Sequence, residues 1–372
     1  MTKARTFFAS SLFPELEKEK KYFFLIIWVL SFLSVIYRLV VAFRFWLYKK
    51  KLLKMVNLSV PVVSVGNLTV GGTGKTPILI YLANLITSQG KRVGIVSRNY
   101  KSATKEILKV VTRNDGGVGD GRLFGDEPVL IQQKTHVPVY VGPRKVDTAK
   151  EIIRSEKIEY VMIDDGFQHL ALKKNCNILL FDVTQMDLYN QVLPRGRYRE
   201  PLAGFKKADI IFWTKTNFIS DQQLAQLKKM IVFSGLQVDW QFCLSEIEFP
   251  GFPTLNLNSE NKMKTEFSNI RRFVLISGIA RPEYFVKIVQ DLNPRMEIIE
   301  KTFSDHHQYS EQDLKKILDK PLNFHHFLTT EKDYTKLKDI WPKDTPLGIV
   351  KWEPRPNISD RQLYESIISF LH

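Results

Sequence analysis

The feature that most limits the fold of this 372-residue chain is a glycine-rich loop between an apolar strand and a helix. It reads GNLTVGGTGKTP, residues 66–77, and it follows the apolar run VPVVSV. Glycines let consecutive backbone N–H groups turn toward one anion, and the N-terminus of the next helix adds favourable partial charge. The loop therefore predicts a phosphate-binding site on a strand–loop–helix unit.

Each position in this loop has an expected role in binding a nucleoside triphosphate. Lys75 is expected to reach the β- and γ-phosphates, and the hydroxyl of Thr76 is expected to bind Mg²⁺. The usual pattern has a glycine where this chain has Thr69, so a glycine-rich turn without a ligand is the alternative. The predicted nucleotide-binding residues are Gly71, Gly72, Thr73, Gly74, Lys75 and Thr76.

Two adjacent carboxylates follow a second apolar strand, YVMI, at Asp164 and Asp165. A phosphate-binding loop of this kind needs an acid at the end of a neighbouring strand to hold Mg²⁺ or its waters. Side chains alternate in direction along a strand, so we expect one carboxylate to face the metal and the other a helix or the substrate.

After residue 54, short apolar runs alternate with helical segments, which is typical of a parallel sheet covered on both faces. In the second half of the chain the pattern predicts helices over Glu311–Leu318 and Glu331–Leu337. Residues 237–252 show an alternating pattern typical of an antiparallel strand, and a polar stretch follows. The predicted class is α/β: a P-loop NTPase-like parallel sheet domain, a second and smaller α/β domain, and an N-terminal membrane helix. The predicted limits are 1–54 for the anchor, 55–235 for the first domain, 236–270 for linker strands and 271–372 for the second domain.

Residues 23–43 form an apolar run, FFLIIWVLSFLSVIYRLVVAF, whose one charged residue is Arg38. This length is sufficient to cross a hydrocarbon core of about 30 Å as a helix. Lysines and arginines that follow it favour a cytoplasmic location for the C-terminal side. A helix lying in the membrane interface and a buried core helix are the alternatives.

The formal net charge of +15 indicates an anionic partner, which charge alone does not identify. The sequence has no recognised nucleic-acid module, and basic residues cluster next to the apolar helix, where anionic lipid headgroups are available. We therefore expect a membrane partner and no nucleic acid. The two cysteines, Cys176 and Cys243, are too few and too far apart for a disulfide framework or a cysteine zinc site.

Several further motifs occur in a fixed order between Gly66 and Leu337, and together they resemble the tetraacyldisaccharide 4′-kinase family. Thr69 in the loop matches the family, whereas Asn99 stands where the family has glycine. The motifs are GNLTVGGTGKTP, SRNY at 97–100, GDEP at 125–128, DDGFQH at 164–169, RYREP at 197–201, SGIARPEYF at 277–285, FSDHHQY at 303–309 and TTEKDYTKL at 329–337.

This resemblance implies that the γ-phosphoryl group of ATP is transferred to the 4′-hydroxyl of a tetraacylated disaccharide 1-phosphate. It implies that Asp126 and His306 form the pair that activates this hydroxyl. It also implies magnesium and phosphate roles for Asp164, Asp165 and Glu200, and an acceptor site near Gln168, His169 and Arg199. The implied location is the cytoplasmic face of a bacterial inner membrane. The competing hypothesis is a membrane-associated P-loop ATPase or GTPase switch that has no lipid acceptor.

Overall fold

The computed structural model describes residues 20–98, 106–111, 124–185, 191–253, 256–257, 272–279, 281–304, 307–318 and 326–371. The described helices are α1 Lys20–Lys49, α2 Lys75–Ser88, α3 Asp126–Thr135, α4 Lys145–Ser155, α5 Asp221–Met230, α6 Pro282–Gln290, α7 Glu311–Leu318, α8 Glu331–Leu337 and α9 Asp360–Ile368. The described strands are β1 Val62–Asn67, β2 Val93–Arg98, β3 Leu108–Lys109, β4 Val139–Gly142, β5 Tyr160–Asp164, β6 Cys176–Asp182, β7 Ile210–Thr214, β8 Leu236–Glu248, β9 Arg272–Ser277, β10 Glu297–Thr302, β11 His326–Thr330 and β12 Leu347–Pro356.

All twelve described strands belong to one sheet, in the order β10-β9-β11-β12-β8-β7-β6-β1-β5-β2-β4-β3. β1 lies between β5 and β6 and pairs with both in parallel. Every residue of β1, β5, β6 and β7 is buried, as expected for strands covered on both faces. The structure therefore confirms the predicted α/β class.

Helices cover both faces of the sheet. On one face α2, α3 and α9 pack on apolar side chains of β1, β6 and β8, whereas α4 and α5 pack on the opposite face. In the second α/β unit α6 packs on one face, and α7 and α8 pack on the other. The bounds of α7 and α8 agree with the sequence prediction, whereas α5 and α9 were not predicted.

β8 occupies the segment that the sequence analysis placed between two domains. It pairs in antiparallel orientation with β12, as expected, and in parallel orientation with β7. This strand therefore lies at the centre of the sheet and joins the two α/β units. The sheet is continuous across the predicted boundaries near 235 and 271, and the domain limits themselves stay a prediction.

The N-terminal apolar helix, α1, is longer than predicted at both ends. Within the described part of the chain it is the one helix long and apolar enough to cross a membrane, over Ile26–Lys49, with a mean hydropathy of 2.3. Only 6% of its most apolar window is buried, and large apolar side chains such as Trp28 and Phe32 are exposed. This exposure does not fit the alternative of a buried core helix.

Candidate functional site

The glycine-rich loop lies where the sequence analysis placed it, between β1 and α2, at the carboxyl edge of the sheet. Gly74 precedes α2 with a left-handed φ of 84°. A Cβ atom at Gly74 would lie 2.5 Å from Cζ of Phe242 on β8, so only glycine fits both the backbone conformation and the space. The loop therefore brings the backbone of residues 71–76 to a helix N-terminus, where an anion is favoured.

Lys75 points back toward the end of the neighbouring strand. Its Nζ atom lies 3.2 Å from Oδ1 of Asn67 and 3.5 Å from Oδ1 of Asp165. Asp165 directly follows β5, and β5 and β1 are parallel, so their carboxyl ends meet at one edge of the sheet. This pairing brings together two residues 90 positions apart in the chain. The position of the carboxylates at the end of a neighbouring strand agrees with the sequence prediction.

Asp165 is also held by Arg199, whose Nη1 donates to both carboxylate oxygens at 2.9 and 2.8 Å. Burial by itself would raise the pKa of Asp165, but Lys75, Arg199 and Lys145 lower it to about 2. The carboxylate is therefore ionised at neutral pH. Its negative charge lies between two cations at the phosphate-binding edge of the sheet.

The adjacent carboxylate, Asp164, has different partners, as strand alternation predicts. Oγ of Ser97, on β2, donates to Oδ2 of Asp164 at 2.7 Å, and the Asp164 side chain is buried. Nζ of Lys145, at the start of α4, donates to the main-chain carbonyls of both Asp164 and Asp165. Ser97 belongs to the SRNY motif, but the sequence did not indicate that Ser97 or Lys145 contacts these two residues.

Residues 191–200, which we call the RYRE loop, run beside the phosphate-binding loop. Their backbones are joined by two hydrogen bonds: N of Val70 donates to the Arg197 carbonyl at 2.9 Å, and N of Arg199 donates to the Leu68 carbonyl at 2.7 Å. The carboxylate of Glu200 is buried and accepts a hydrogen bond from Nζ of Lys207. The predicted site residues Arg199 and Glu200 therefore adjoin the first half of the phosphate-binding loop.

Gln168 and His169 follow Asp165 on the same edge. Nε2 of Gln168 donates to the Asn67 carbonyl at 2.7 Å, which places Gln168 next to the phosphate-binding loop. Nε2 of His169 is buried and has no hydrogen-bond partner among the described residues. Burial, with further contributions from Lys145, Lys174 and Arg44, lowers the pKa of His169 to about 4. The ring is therefore neutral at physiological pH.

A second set of residues donates hydrogen bonds to backbone carbonyls in the glycine-rich half of the phosphate-binding loop. Nζ of Lys215 donates to the Gly72 carbonyl at 2.9 Å and to Oδ2 of the buried Asp182 at 2.6 Å. Oγ1 of Thr214 donates to the Thr73 carbonyl at 3.0 Å. These contacts were not predicted, because nothing in the local sequence links the end of β7 to a loop about 140 residues earlier.

Three residues singled out from the sequence are not placed by the structure. Asn99 and His306 lie outside the described residues. For Asp126 the backbone is described, at the first position of α3, but the side chain is not. The expected contact between Asp126 and His306 therefore stays a prediction.

Two side-chain oxygen ligands at this edge of the sheet are suited to Mg²⁺ that is bound together with the phosphates of a nucleotide. The described part of the chain has no cluster of three or more His, Cys, Asp or Glu side chains of the kind that holds a metal by protein ligands alone. Magnesium in phosphoryl-transfer sites takes one or two protein oxygens and completes its shell with phosphates and water. The hydroxyl of Thr76 and the carboxylate of Asp164 are donors of this type.

The chain was compared with known proteins. The family model for tetraacyldisaccharide-1-P 4′-kinase matches residues 26–371. The tetraacyldisaccharide 4′-kinase of Bdellovibrio bacteriovorus is 32% identical over 350 residues, which cover 91% of this chain and 98% of the relative. The tetraacyldisaccharide 4′-kinase of Syntrophotalea carbinolica is 34% identical over 281 residues, which cover 75% of this chain and 74% of the relative.

Solved structures agree with these relatives. A crystal structure described as the apo form of LpxK from Aquifex aeolicus in complex with ATP superposes with a TM-score of 0.67 and 27% sequence identity. The match covers 91% of this chain and 98% of the solved one. Since the family model and the relatives span nearly the whole chain, the protein belongs to the tetraacyldisaccharide-1-P 4′-kinase family.

Proposed function

We propose that the carboxyl edge of β1 and β5 binds ATP with Mg²⁺ and transfers the γ-phosphoryl group to the 4′-hydroxyl of tetraacyldisaccharide 1-phosphate. The observation that carries this proposal is the cluster of Lys75, Asp165 and Arg199 beside the phosphate-binding loop. The ATP in the solved relative supports the choice of nucleotide. A kinase of this class needs fixed positive charge where charge develops on the transferred group, and this cluster supplies it.

The nucleotide is held mainly by backbone groups. The N–H groups of residues 71–76 face the phosphates at the N-terminus of α2, and Lys75 neutralises charge on the β- and γ-phosphates. Thr76 and Asp164 would hold Mg²⁺. Glu200, the last residue of the RYRE loop, would help to position the magnesium and the phosphates. Magnesium neutralises phosphate charge and fixes the orientation of the γ-phosphoryl group.

The acceptor sugar lies against Gln168, His169 and Arg199. Because the pKa of His169 is low, its neutral ring offers a hydrogen bond to a sugar hydroxyl or phosphate oxygen without adding charge. Asp126 and His306 activate the 4′-hydroxyl, as the family resemblance implies. Arg199 contacts Asp165 at the same time, so the acceptor side and the nucleotide side of the site share one residue.

The lipid acceptor requires the enzyme to work at a membrane surface. We place α1 in the bacterial inner membrane, with the sheet on the cytoplasmic face. Exposed apolar side chains along α1, including Trp28, Phe32 and Phe43, suit the lipid phase, and the basic residues after it suit anionic headgroups. This arrangement holds the site next to an acceptor that is itself embedded in the bilayer.

The experiment that tests this function is an incubation of the purified protein with γ-labelled ATP and tetraacyldisaccharide 1-phosphate, with and without Mg²⁺. We expect label on the lipid only when both magnesium and acceptor are present. The competing hypothesis, a membrane-associated ATPase or GTPase switch, is not favoured by the family match. It would be supported by nucleotide hydrolysis that proceeds at the same rate without the lipid and leaves the lipid unlabelled.

Thr76→Ala is expected to raise the Mg²⁺ concentration needed for half-maximal activity by about tenfold or more, because it deletes an oxygen ligand of the metal. The measurement is a magnesium titration at saturating ATP. Thr76→Ser keeps the hydroxyl at the same helix position and is expected to titrate like the wild type. A Thr76→Ala titration curve identical to that of the wild type would show that this hydroxyl does not bind the metal.

Deletion of residues 1–54 is expected to lower activity on vesicle-embedded acceptor by about tenfold or more, with a much smaller change in ATP affinity. The cut keeps the hydrogen bond from N of Val56 to the Ala171 carbonyl at 2.8 Å, but it removes the hydrogen bonds of α1 to residues 192, 195 and 199. Activity on acceptor in detergent solution is therefore measured as well, and the part of the loss that is specific to vesicles is the part due to anchoring. Activity on vesicles and ATP affinity are measured on the same preparation. Equal turnover of vesicle lipid by both proteins would show that α1 is not needed at the membrane.

A further inference from the structure

One face of α1 is turned toward the rest of the protein. Its less exposed positions recur every three or four residues, which puts them on a single helix face. Ser34 is the most enclosed of them, with only 8% of its surface exposed, and Tyr37 is half-buried one turn later. The less exposed residues between 27 and 41 are Ile27, Leu30, Ser31, Ser34, Tyr37 and Val41.

Ser34 joins α1 to one end of the RYRE loop. Its Oγ donates to the Val192 carbonyl at 2.9 Å and accepts from the backbone N of Arg195 at 3.0 Å. The neighbouring serine of the same helix, Ser31, donates instead to the Ile27 carbonyl within α1. The Ser34 hydroxyl therefore closes a turn of the RYRE loop, whereas the Ser31 hydroxyl does not leave its own helix.

Tyr37 joins α1 to the other end of the same loop. Its hydroxyl donates to the Arg199 carbonyl at 3.0 Å. Arg199 in turn donates its backbone N to the Leu68 carbonyl and its guanidinium to Asp165. The membrane helix is thus two hydrogen bonds from the phosphate-binding loop, and a single residue, Arg199, connects them.

We propose that Ser34 and Tyr37 are positioning residues, through which α1 holds the RYRE loop, and with it Arg199 and the phosphate-binding loop, in the geometry needed for phosphoryl transfer. This inference rests on the proposed function and adds to it, because α1 acts on the site as well as on the membrane. The RYRE loop contains no helix or strand of its own, so its path depends on separate contacts: the backbone hydrogen bonds to the phosphate-binding loop and the side-chain hydrogen bonds from α1. Small misplacements of groups that orient a reacting phosphoryl group are costly to the rate.

The first test compares matched pairs of variants in the full-length protein. Tyr37→Phe is compared with Tyr48→Phe, and Ser34→Ala with Ser31→Ala. We expect Tyr37→Phe and Ser34→Ala each to lower kcat by about three- to tenfold, the effect of losing one hydrogen bond. The two control variants should keep wild-type kcat, and all four should bind vesicles to the same extent, since the apolar surface of α1 is unchanged.

The second test has a readout other than activity. Amide hydrogen exchange at residues 68–74 is expected to be faster in Tyr37→Phe and Ser34→Ala than in the control variants, because the loop has lost support. Arg199→Ala removes the guanidinium but keeps the backbone carbonyl that Tyr37 contacts and the N–H that donates to Leu68. Adding Tyr37→Phe to Arg199→Ala should therefore still speed amide exchange at residues 68–74.

Three results would overturn the inference: kcat values that match those of the control variants, a loss of kcat explained by weaker vesicle binding, or amide exchange at residues 68–74 that is no faster than in the control variants. Its failure can be told apart from failure of the proposed function. Wild-type protein in the same assay tests the phosphoryl transfer itself, whereas the ratio of variant to wild type and the amide exchange test the role of α1.

Discussion

Lys75→Ala is expected to lower phosphoryl transfer to the lipid by at least about 10²–10³-fold while the fold stays intact. Lys75 is the cation at the end of the phosphate-binding loop, and removing one group that stabilises transition-state charge costs on this order. The fold should persist because both oxygens of Asp165 still accept from Nη1 of Arg199 when the Lys75 side chain is removed. The measurement is single-turnover transfer of label from ATP, with circular dichroism and thermal unfolding on the same sample.

The matched control is Lys91→Ala, which removes a lysine after the far end of α2. Nζ of Lys91 lies 3.7 Å from Glu159 in a solvent-exposed ion pair, and such pairs contribute little to stability. This variant is expected to retain wild-type transfer. Near-normal turnover by Lys75→Ala would show that the glycine-rich loop is a structural turn, and it would remove the main support for the proposed ATP site.

Replacing Asp126 and His306 is expected to have the second large effect. A sugar hydroxyl is a poor nucleophile at neutral pH, so a positioned base accelerates transfer by about 10²–10⁴-fold. Histidine has a suitable intrinsic pKa, and a neighbouring carboxylate orients the ring and stabilises its protonated form. Asp126→Ala and His306→Ala should each lower kcat on this scale, with little change in ATP affinity.

The double variant decides whether the two residues act together. A working pair predicts a loss in the double variant far smaller than the product of the single losses. His307→Ala and Glu127→Ala are the neighbouring controls. Nε2 of His307 lies 3.1 Å from Oδ2 of Asp313, and the His307 ring stacks on Phe303 with ring centroids 4.7 Å apart. We therefore expect His307 to have a structural role. Fully multiplicative losses would show that Asp126 and His306 act separately, and mild losses would place the base elsewhere.

Local sequence patterns were enough to determine several features of this protein. The phosphate-binding loop is predicted by glycines and GKT between a strand and a helix, because that chemistry depends on backbone conformation within about ten residues. The bounds of α7 and α8 and the apolar character of α1 follow from side-chain periodicity and length. The apolar strand that ends in two carboxylates also predicted an acid beside the phosphate-binding loop, and Asp165 lies there, 3.5 Å from Nζ of Lys75.

Contacts between distant parts of the chain were decided only by the tertiary structure. The segment predicted as linker strands forms β8 in the middle of the sheet, because it pairs with the preceding strand, β7, and also with β12, more than 100 positions later in the chain. Tyr37 and Arg199 are 162 positions apart, and Lys215 and Gly72 are 143 apart. No local sequence pattern marks the residues at either end of such a hydrogen bond. The sequence therefore predicted which residues bind phosphate, and the packing of α1, β7 and the RYRE loop decided which residues contact them.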